Sequence, residues 1–432
     1  RSDRDWSSDV CSSDLLEEID RPGEYFIDRK KGILYYYPTE NFNNQKLELS
    51  VIEEPMLTIR QSSKVLLDGI NFTTARGVGI LLEDCENITI RNAVMSNFGT
   101  VAISLGHPLR NNTNGFIQDG SPKQWERTTD QFRNILISGC EIFNTGCGGI
   151  ILDGGNRHTL EPSGNRVEFC NFYNNDRINQ SYSPSVKMFG VGHVVANSSF
   201  RDMRHQAISF LGNDHLIEYC RFENICYDAD DMGAIYTGRD PASRGTIIRY
   251  NYFKNNLPKS PQTSMCAVYV DDGSGGIIIH DNLFYRSGNP GHYGVLGAIY
   301  VNIGFDNRIY NNTFIDCKVA FGHNPNQADT WDKLYASGLI QYRMFEEVDS
   351  RSEEYRRKYP ELKQYENNTS RRLNYMEYNW MIGTQTISFG DVAMRRNTTI
   401  PVEPLAPEEY DYLQLKKKYP AFNIPDYRKT GH

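Results

Sequence analysis

Short apolar runs alternate with polar turns down most of the chain, and two phrases recur. One is Asn-Ile-Thr-Ile-Arg-Asn92, returning as Asn-Ile-Leu-Ile-Ser-Gly-Cys140, Arg-Val-Glu-Phe-Cys170, Leu-Ile-Glu-Tyr-Cys220, Ile-Ile-Arg-Tyr-Asn251, Ile-Ile-His-Asp-Asn282 and Arg-Ile-Tyr-Asn-Asn312. An aromatic follows two residues later at Phe172, Phe222, Phe253, Phe284 and Phe314. From Cys170 through Ser198, Cys220, Asn251 and Asn282 to Asn312 the steps are 28, 22, 31, 31 and 30 residues. A helical repeat array keeps a tighter period. Coils of about 22 residues that take insertions in one loop predict the stacked turns of a parallel β-helix.

The second phrase precedes the first in each coil: Gly149-Ile-Ile-Leu-Asp153, Ser185-Val-Lys-Met-Phe189, Ala207-Ile-Ser-Phe-Leu211, Ala234-Ile-Tyr-Thr-Gly238, Ala267-Val-Tyr-Val-Asp271 and Ala298-Ile-Tyr-Val-Asn302. Its period of two predicts strands. Ile150, Leu152, Ile208, Phe210, Val268, Val270, Ile299 and Val301 then face inward. Lys187, Ser209, Tyr236, Tyr269 and Tyr300 form one outward column, and Asp153, Asp271 and Asn302 the next. Stacked at about 4.8 Å per rung, they make a polar, aromatic face.

Asn92, Asn251, Asn282 and Asn312 share a turn position with Cys140, Cys170 and Cys220. Asparagine there accepts an unusual backbone and ladders its amide, and cysteine fills the slot as a small buried group. The cysteines therefore need neither disulfide nor metal, and no Cys-x-x-Cys occurs. Asn-x-Ser/Thr triplets at Asn71, Asn87, Asn197 and Asn311 read as by-products of these turns.

Residues 16–60 read as an N-terminal β segment, 61–325 as the β-helix, 326–373 as a charged helical insertion or end cap, and 374–432 as final strands and a tail. Residues 1–15 resemble the translation of a sequencing-adapter primer, so the native start and any export signal are expected to lie outside this chain. The apolar share is 39%, about 47% with the 35 glycines, which fits a folded protein. The net charge of −8, or −6 once two arginines and four aspartates of residues 1–15 are set aside, argues against nucleic acid. No run of 18 apolar residues suggests a membrane span.

The densest polar cluster falls on three consecutive coils. They carry Arg204, His205, Asn213, Asp214 and His215; then Asp228, Asp230, Asp231, Tyr236, Arg239 and Asp240; then Tyr269, Asp271 and Asp272. Counting from the aligned alanines places Asp240 and Asp272 at nearly the same height, with backbones about 5 to 6 Å apart. Two such carboxylates with Arg239 beside them suit the acid and the nucleophile or base of glycoside cleavage. Each aspartate taken alone fits a turn cap equally well, Asp214 above all. His107, His158 and His280 read as surface or packing residues, while His205 precedes a groove strand. Tyr236, Tyr269 and Tyr300 fit a sugar-stacking platform or a structural ladder.

At these residues a family resemblance enters. His205-Gln-Ala-Ile-Ser-Phe-Leu-Gly-Asn-Asp-His215, Asp231-Met-Gly-Ala-Ile-Tyr-Thr-Gly-Arg-Asp240 and Tyr269-Val-Asp-Asp-Gly-Ser-Gly resemble the bacterial right-handed parallel β-helix proteins that include glycoside hydrolase family 141, as do the opening Pro-Gly-Glu-Tyr-Phe-Ile-Asp-Arg and closing Tyr-Pro-Ala-Phe. The resemblance implies an all-β, right-handed parallel β-helix and a fucosidase- or xylanase-like enzyme acting outside the cytoplasm, extracellular or periplasmic. It also implies two catalytic aspartates. Their placement best matches Asp231 and Asp272, 41 residues apart, with Asp230 and Asp271 offering the same separation. His205, Asn213, Tyr236, Arg239, Asp240, Tyr269, Asp271, Tyr300 and Lys187 are expected to hold the sugar. The expected partner is a polysaccharide or oligosaccharide, bound by a monomer that needs no metal or cofactor. The alternatives are a polysaccharide lyase, in which Lys187 or Arg239 serves as base and Ca²⁺ neutralises a uronate, and a non-catalytic glycan-binding solenoid.

Overall fold

The computed structural model describes residues 15–40, 47–52, 54–106, 132–324, 327–366, 373–388, 392–400 and 416–417. Residues 1–14, His107 and nearly all of the tail beyond 400 lie outside them. The chain divides into two compact units, Arg1–Ser50 and Val51–His432. In the first, Tyr25–Asp28 pairs antiparallel with Ile33–Tyr36. Their turn closes through Gly32, whose amide donates to the Asp28 carbonyl at 2.8 Å and whose φ of +66° suits glycine.

Among the described residues the second unit winds three parallel sheets of eleven strands each. Each coil contributes one strand per sheet, so consecutive coils stack in register and form a parallel β-helix. The first sheet starts at Leu57–Arg60, a little before residue 61, because the alternation of those residues pairs them with Ile80–Glu83. It continues through Ile208–Phe210, Met232–Gly238, Met265–Asp271 and Ile299–Val301 and ends at Thr386–Ser388. Ile150, Leu152, Ile208, Phe210, Val268, Val270, Ile299 and Val301 all point into the buried core.

Inside the coils like stacks on like. Phe172, Phe200, Phe222, Phe253, Phe284 and Phe314 form a ladder with ring centroids 4.7–5.0 Å apart and planes within 10° of parallel. At one corner Asn251, Asn282, Asn312 and Asn379 run as an amide ladder, the Oδ1 of Asn282, Asn312 and Asn379 each accepting both the backbone and the side-chain N–H of the preceding asparagine at 2.9–3.1 Å. These bonds satisfy buried backbone groups that a bare turn would leave orphaned. The unusual backbone belongs to the residue before: Phe169, Tyr219, Tyr250, Asp281 and Asn311 have φ of +54° to +57°, as does Asn92, which therefore sits one place earlier than its supposed equivalents. Cys140, Cys170 and Cys220 share the ladder's column, and all eight cysteines of the described residues are free thiols.

Residues 327–366 form the helical insertion, with helices at Gln327–Tyr335, Gly338–Tyr342 and Glu353–Lys358. It does not cap the solenoid's end. Trp331, Ile340, Met344, Tyr355, Leu362 and Tyr365 pack instead on Ala242, Ile303 and Phe305, in turns that follow the first sheet. The insertion is thus a lateral buttress beside that sheet, and the stack resumes when Tyr375–Glu377 pairs with Arg308–Tyr310.

Candidate active site

The outward column of the first sheet runs Ile151, Lys187, Ser209, Tyr236, Tyr269, Tyr300, Gly322 in continuous register. The three tyrosines are 3–5% exposed and meet at 86° and 55° rather than face to face. The cause lies in their hydroxyls, which are drawn apart. Tyr236 Oη donates to Asp271 Oδ2 at 2.7 Å, and Tyr269 Oη donates to Asp231 Oδ1 at 3.0 Å. The rings therefore offer little open face to a sugar, and the phenols of Tyr236 and Tyr269 orient the aspartates.

Asp231 immediately precedes Met232–Gly238, and Asp272 immediately follows Met265–Asp271 on the next coil. Both adopt positive φ, +54° and +40°, which turns the chain out of the sheet at each of these positions. Burial pushes the Asp231 carboxyl above the ordinary carboxylate range, and the charges of Asp230 and Asp272 push it the same way. Asp272 Oδ2 accepts from Arg239 Nε at 2.8 Å, and its Oδ1 from Asn302 Nδ2 at 3.2 Å. Asp271 lies between, its carboxyl pushed up to about 7 by burial and by the neighbouring Asp272. It accepts from Tyr236, from Asn302 Nδ2 at 2.9 Å and from the Asp272 amide at 2.8 Å. Asp230 Oδ1 is engaged by the Ser264 and Asp231 amides at 2.7 and 3.1 Å, which makes it the turn cap of the pair Asp230 and Asp231.

Asp240 does not stand beside Asp272. Gly238 pairs with Asp271, so Arg239 is the residue level with Asp272, and Asp240 falls one place beyond, its amide donating to Ser274 Oγ at 3.2 Å. Its carboxylate is fully buried on Arg157 Nη2 at 2.9 Å, under the insertion. Asn213 belongs to the same buried network. Its Oδ1 accepts from Arg157 Nε at 3.1 Å and Tyr355 Oη at 3.2 Å, and its Nδ2 donates to the Ala242 carbonyl at 2.7 Å. Neither side chain is open to a substrate. Asp214 receives Lys358 Nζ at 2.5 Å and is likewise structural.

His205 is brought to the groove but is buried, which lowers its imidazole to about 4. Its Nδ1 accepts from the Tyr182 amide at 3.3 Å, which leaves Nε2 as the N–H facing Ser181 Oγ at 3.4 Å. A neutral ring in this place holds the 181–182 loop and is ill suited to proton transfer at pH 7. Lys187 is buried too, and desolvation lowers its amine to about 7. Nζ reaches the Tyr182 carbonyl at 3.5 Å.

Three groove residues escaped the sequence reading as sugar ligands. The phenol of Tyr182 lies within reach of the charges of Arg239, Asp271, Asp231 and Asp272, and that of Tyr293, exposed, within reach of Asp231, Asp230 and Asp271. Asn302 bridges both carboxylates of the 271–272 pair. Only Asn302 had a signal, its place in the outward column. Among the described residues no three of His, Cys, Asp and Glu gather as a metal set. The aspartates instead receive tyrosine, asparagine, arginine and amide donors.

Residues 184–329 match the family described as "Right handed beta helix region". The chain is a right-handed parallel β-helix. Its fold is similar to that of a solved glycoside hydrolase, with a TM-score of 0.38 and 10% identity over 96% of this chain. The chain spans 59% of that protein's length. It is also similar to an alginate lyase, AlyF-OU02, solved with G6, with a TM-score of 0.34 and 8% identity over 81% of this chain and 80% of the lyase. No curated protein matches the sequence. No helix among the described residues of this β-helix is long and apolar enough to cross a membrane.

Proposed function

We propose that this β-helix is a carbohydrate-active glycoside hydrolase, fucosidase- or xylanase-like, with Asp231 as general acid and Asp272 as general base. One observation carries the reading. Two carboxylates flank the tyrosine column in unlike surroundings: desolvation and the charges of Asp230 and Asp272 raise Asp231 against the opposing bond from Tyr269, whereas Asp272 is ion-paired with Arg239. Carboxylates held in opposed environments are the usual division into acid and base. A carboxyl raised in this way keeps its proton longer and can deliver it to the leaving oxygen, whereas an ion-paired carboxylate can draw a proton from water.

Asp271, locked by Tyr236 and Asn302, is a positioning residue that holds Asp272 by its backbone amide. Asp231 opens one strand and Asp272 closes the next, a seven-residue strand, so the two approach a sugar from opposite ends of the sheet. Asp272 acting as general base on water requires a spacing of roughly 6.5–9.5 Å, which leaves room for that water and inverts the anomeric centre. The substrate is then a plant or microbial polysaccharide met outside the cytoplasm.

A polysaccharide lyase is the second reading, favoured by the Lys187 amine at about 7, the value of a base at neutral pH. A product assay on a panel of plant and microbial glycans separates the readings. New reducing ends without ultraviolet absorption support hydrolysis, and an absorbing unsaturated end supports elimination. Binding without any product leaves a glycan-binding solenoid.

A further inference from the structure

A second cleft lies away from the groove, between the outer face of the second sheet and the insertion. Its main part is a cavity of about 750 Å³ over Gly245, Gly276, Ile278, Arg308 and Tyr375, walled by Lys358, Tyr359 and Gln364. A smaller cavity of about 360 Å³ shares Arg308 and Glu377 with it and continues over Tyr310, Asn311 and Tyr378. Each is of the size that holds a small organic ligand. Joined end to end, they suit a chain.

The wall is held firmly. Lys358 is bonded to Asp214 at 2.5 Å, and the fully buried Arg244 reaches Asp306 at 2.6 Å and Glu361 at 3.0 Å. Those contacts occupy three of the cleft's four carboxylates. Register sets Arg308 beside Tyr375 and Tyr310 beside Glu377. The Arg308 guanidinium and Glu377 carboxylate close no hydrogen bond or ion pair with a described side chain. The cleft thus presents one free cation and one free anion among tyrosine rings and Ile278. That set matches a neutral ring bearing hydroxyls, which both donate and accept and whose C–H face packs on aromatics. A polyanion would find Arg308 as its single unpaired cation among the described residues, with Glu377 beside it and the remaining carboxylates balanced by Lys358 and Arg244.

We propose that this cleft is a second carbohydrate site that binds a neutral oligosaccharide chain, with Arg308 and Glu377 on its hydroxyls and Tyr375 and Tyr378 against its rings. The ligand class rests on the reading of the groove; the site itself does not. Its role is to hold a polymer while the groove acts on it.

The test is native affinity electrophoresis of the full chain in gels cast with xyloglucan, arabinoxylan or polygalacturonate, with Asp272→Asn present to stop turnover. The added double variant Arg308→Ala, Tyr378→Ala removes two exposed side chains, and unchanged melting verifies its fold. The expected result is retardation by a neutral polysaccharide but not by polygalacturonate, with the apparent Kd raised about tenfold or more in the double variant. Retardation equal to the parent's, or none in any neutral gel, overturns the site. If retardation depends on Arg308 and Tyr378 while the wild-type chain cleaves no glycan, this site stands and the hydrolase reading falls. If retardation ignores them while cleavage proceeds, the reverse holds.

Discussion

Tyr236 donates its phenolic hydrogen at 2.7 Å to Asp271, a carboxyl on the next coil that burial pushes up to about 7. An unfolded aspartate titrates near about 3.9, so between about pH 4 and 7 the folded chain binds the extra proton. Stability from this group is fully present below pH 4 and is lost as pH rises through 7. Asp271→Asn removes that loss. Its free energy of unfolding, read from denaturant titrations, is expected to fall less than the wild type's between pH 4 and pH 8, by on the order of a few kcal/mol. Parallel slopes for the two proteins would contradict the assignment.

Asp240 is expected to behave as a structural residue. It pairs with Arg157 where neither is more than 3% exposed, so Asp240→Asn leaves a buried guanidinium with Glu347 alone, at 3.2 Å. Breaking a buried pair on one side costs about 3–5 kcal/mol, with Glu347 holding the loss to the lower end. Denaturant unfolding should show it, with Asp272→Asn as a comparison that changes stability far less because Arg239 is 45% exposed. An Asp240→Asn protein of full stability would return Asp240 to the candidates for chemistry.

The asparagine ladder makes a separate prediction. Asn282→Ala orphans the Asn251 backbone and side-chain N–H groups and the Ile248 carbonyl, all buried. At about 1–3 kcal/mol per orphaned group, the loss is on the order of 3 kcal/mol after local relaxation. It should move the urea midpoint down with little change of slope. A loss under about 1 kcal/mol would mean that the ladder is decorative.

Much of this architecture was legible in the residues. Alternation placed Lys187, Ser209, Tyr236, Tyr269 and Tyr300 in one column because a strand has only two faces, and the pairing follows that column rung by rung. The Asn and Cys position was legible as a buried ladder, but the left-handed backbone proved to belong to its predecessor, since a one-residue offset does not alter a repeat's spacing. Asp240 was misplaced for a related reason. Its height was right to within a residue, and that residue moves it from the groove to Arg157, a partner 83 positions away. Tyr182 and the side-on docking of the insertion depend on such long-range closures, which leave no periodic trace.

With Asp272 proposed as general base on water rather than as nucleophile, the reaction inverts the anomeric centre. Proton NMR of the first product formed should show the anomer opposite to that of the bond cleaved. A retained anomer would require the narrow spacing of about 5–5.5 Å and a nucleophilic carboxylate.

The central claim is that Asp231 and Asp272 divide the acid and base work. Its most direct measurement is kcat/KM on a cleaved glycan for wild type, Asp231→Asn and Asp272→Asn, with melting temperatures taken alongside. Each variant is expected to lose roughly 10²–10⁴-fold while melting within a few degrees of the wild type. Asp231→Asn should also lose the high-pH limb of the rate profile, which in the wild type lies above the ordinary carboxylate range because Asp231 must keep its proton. Full activity in both variants would contradict the account.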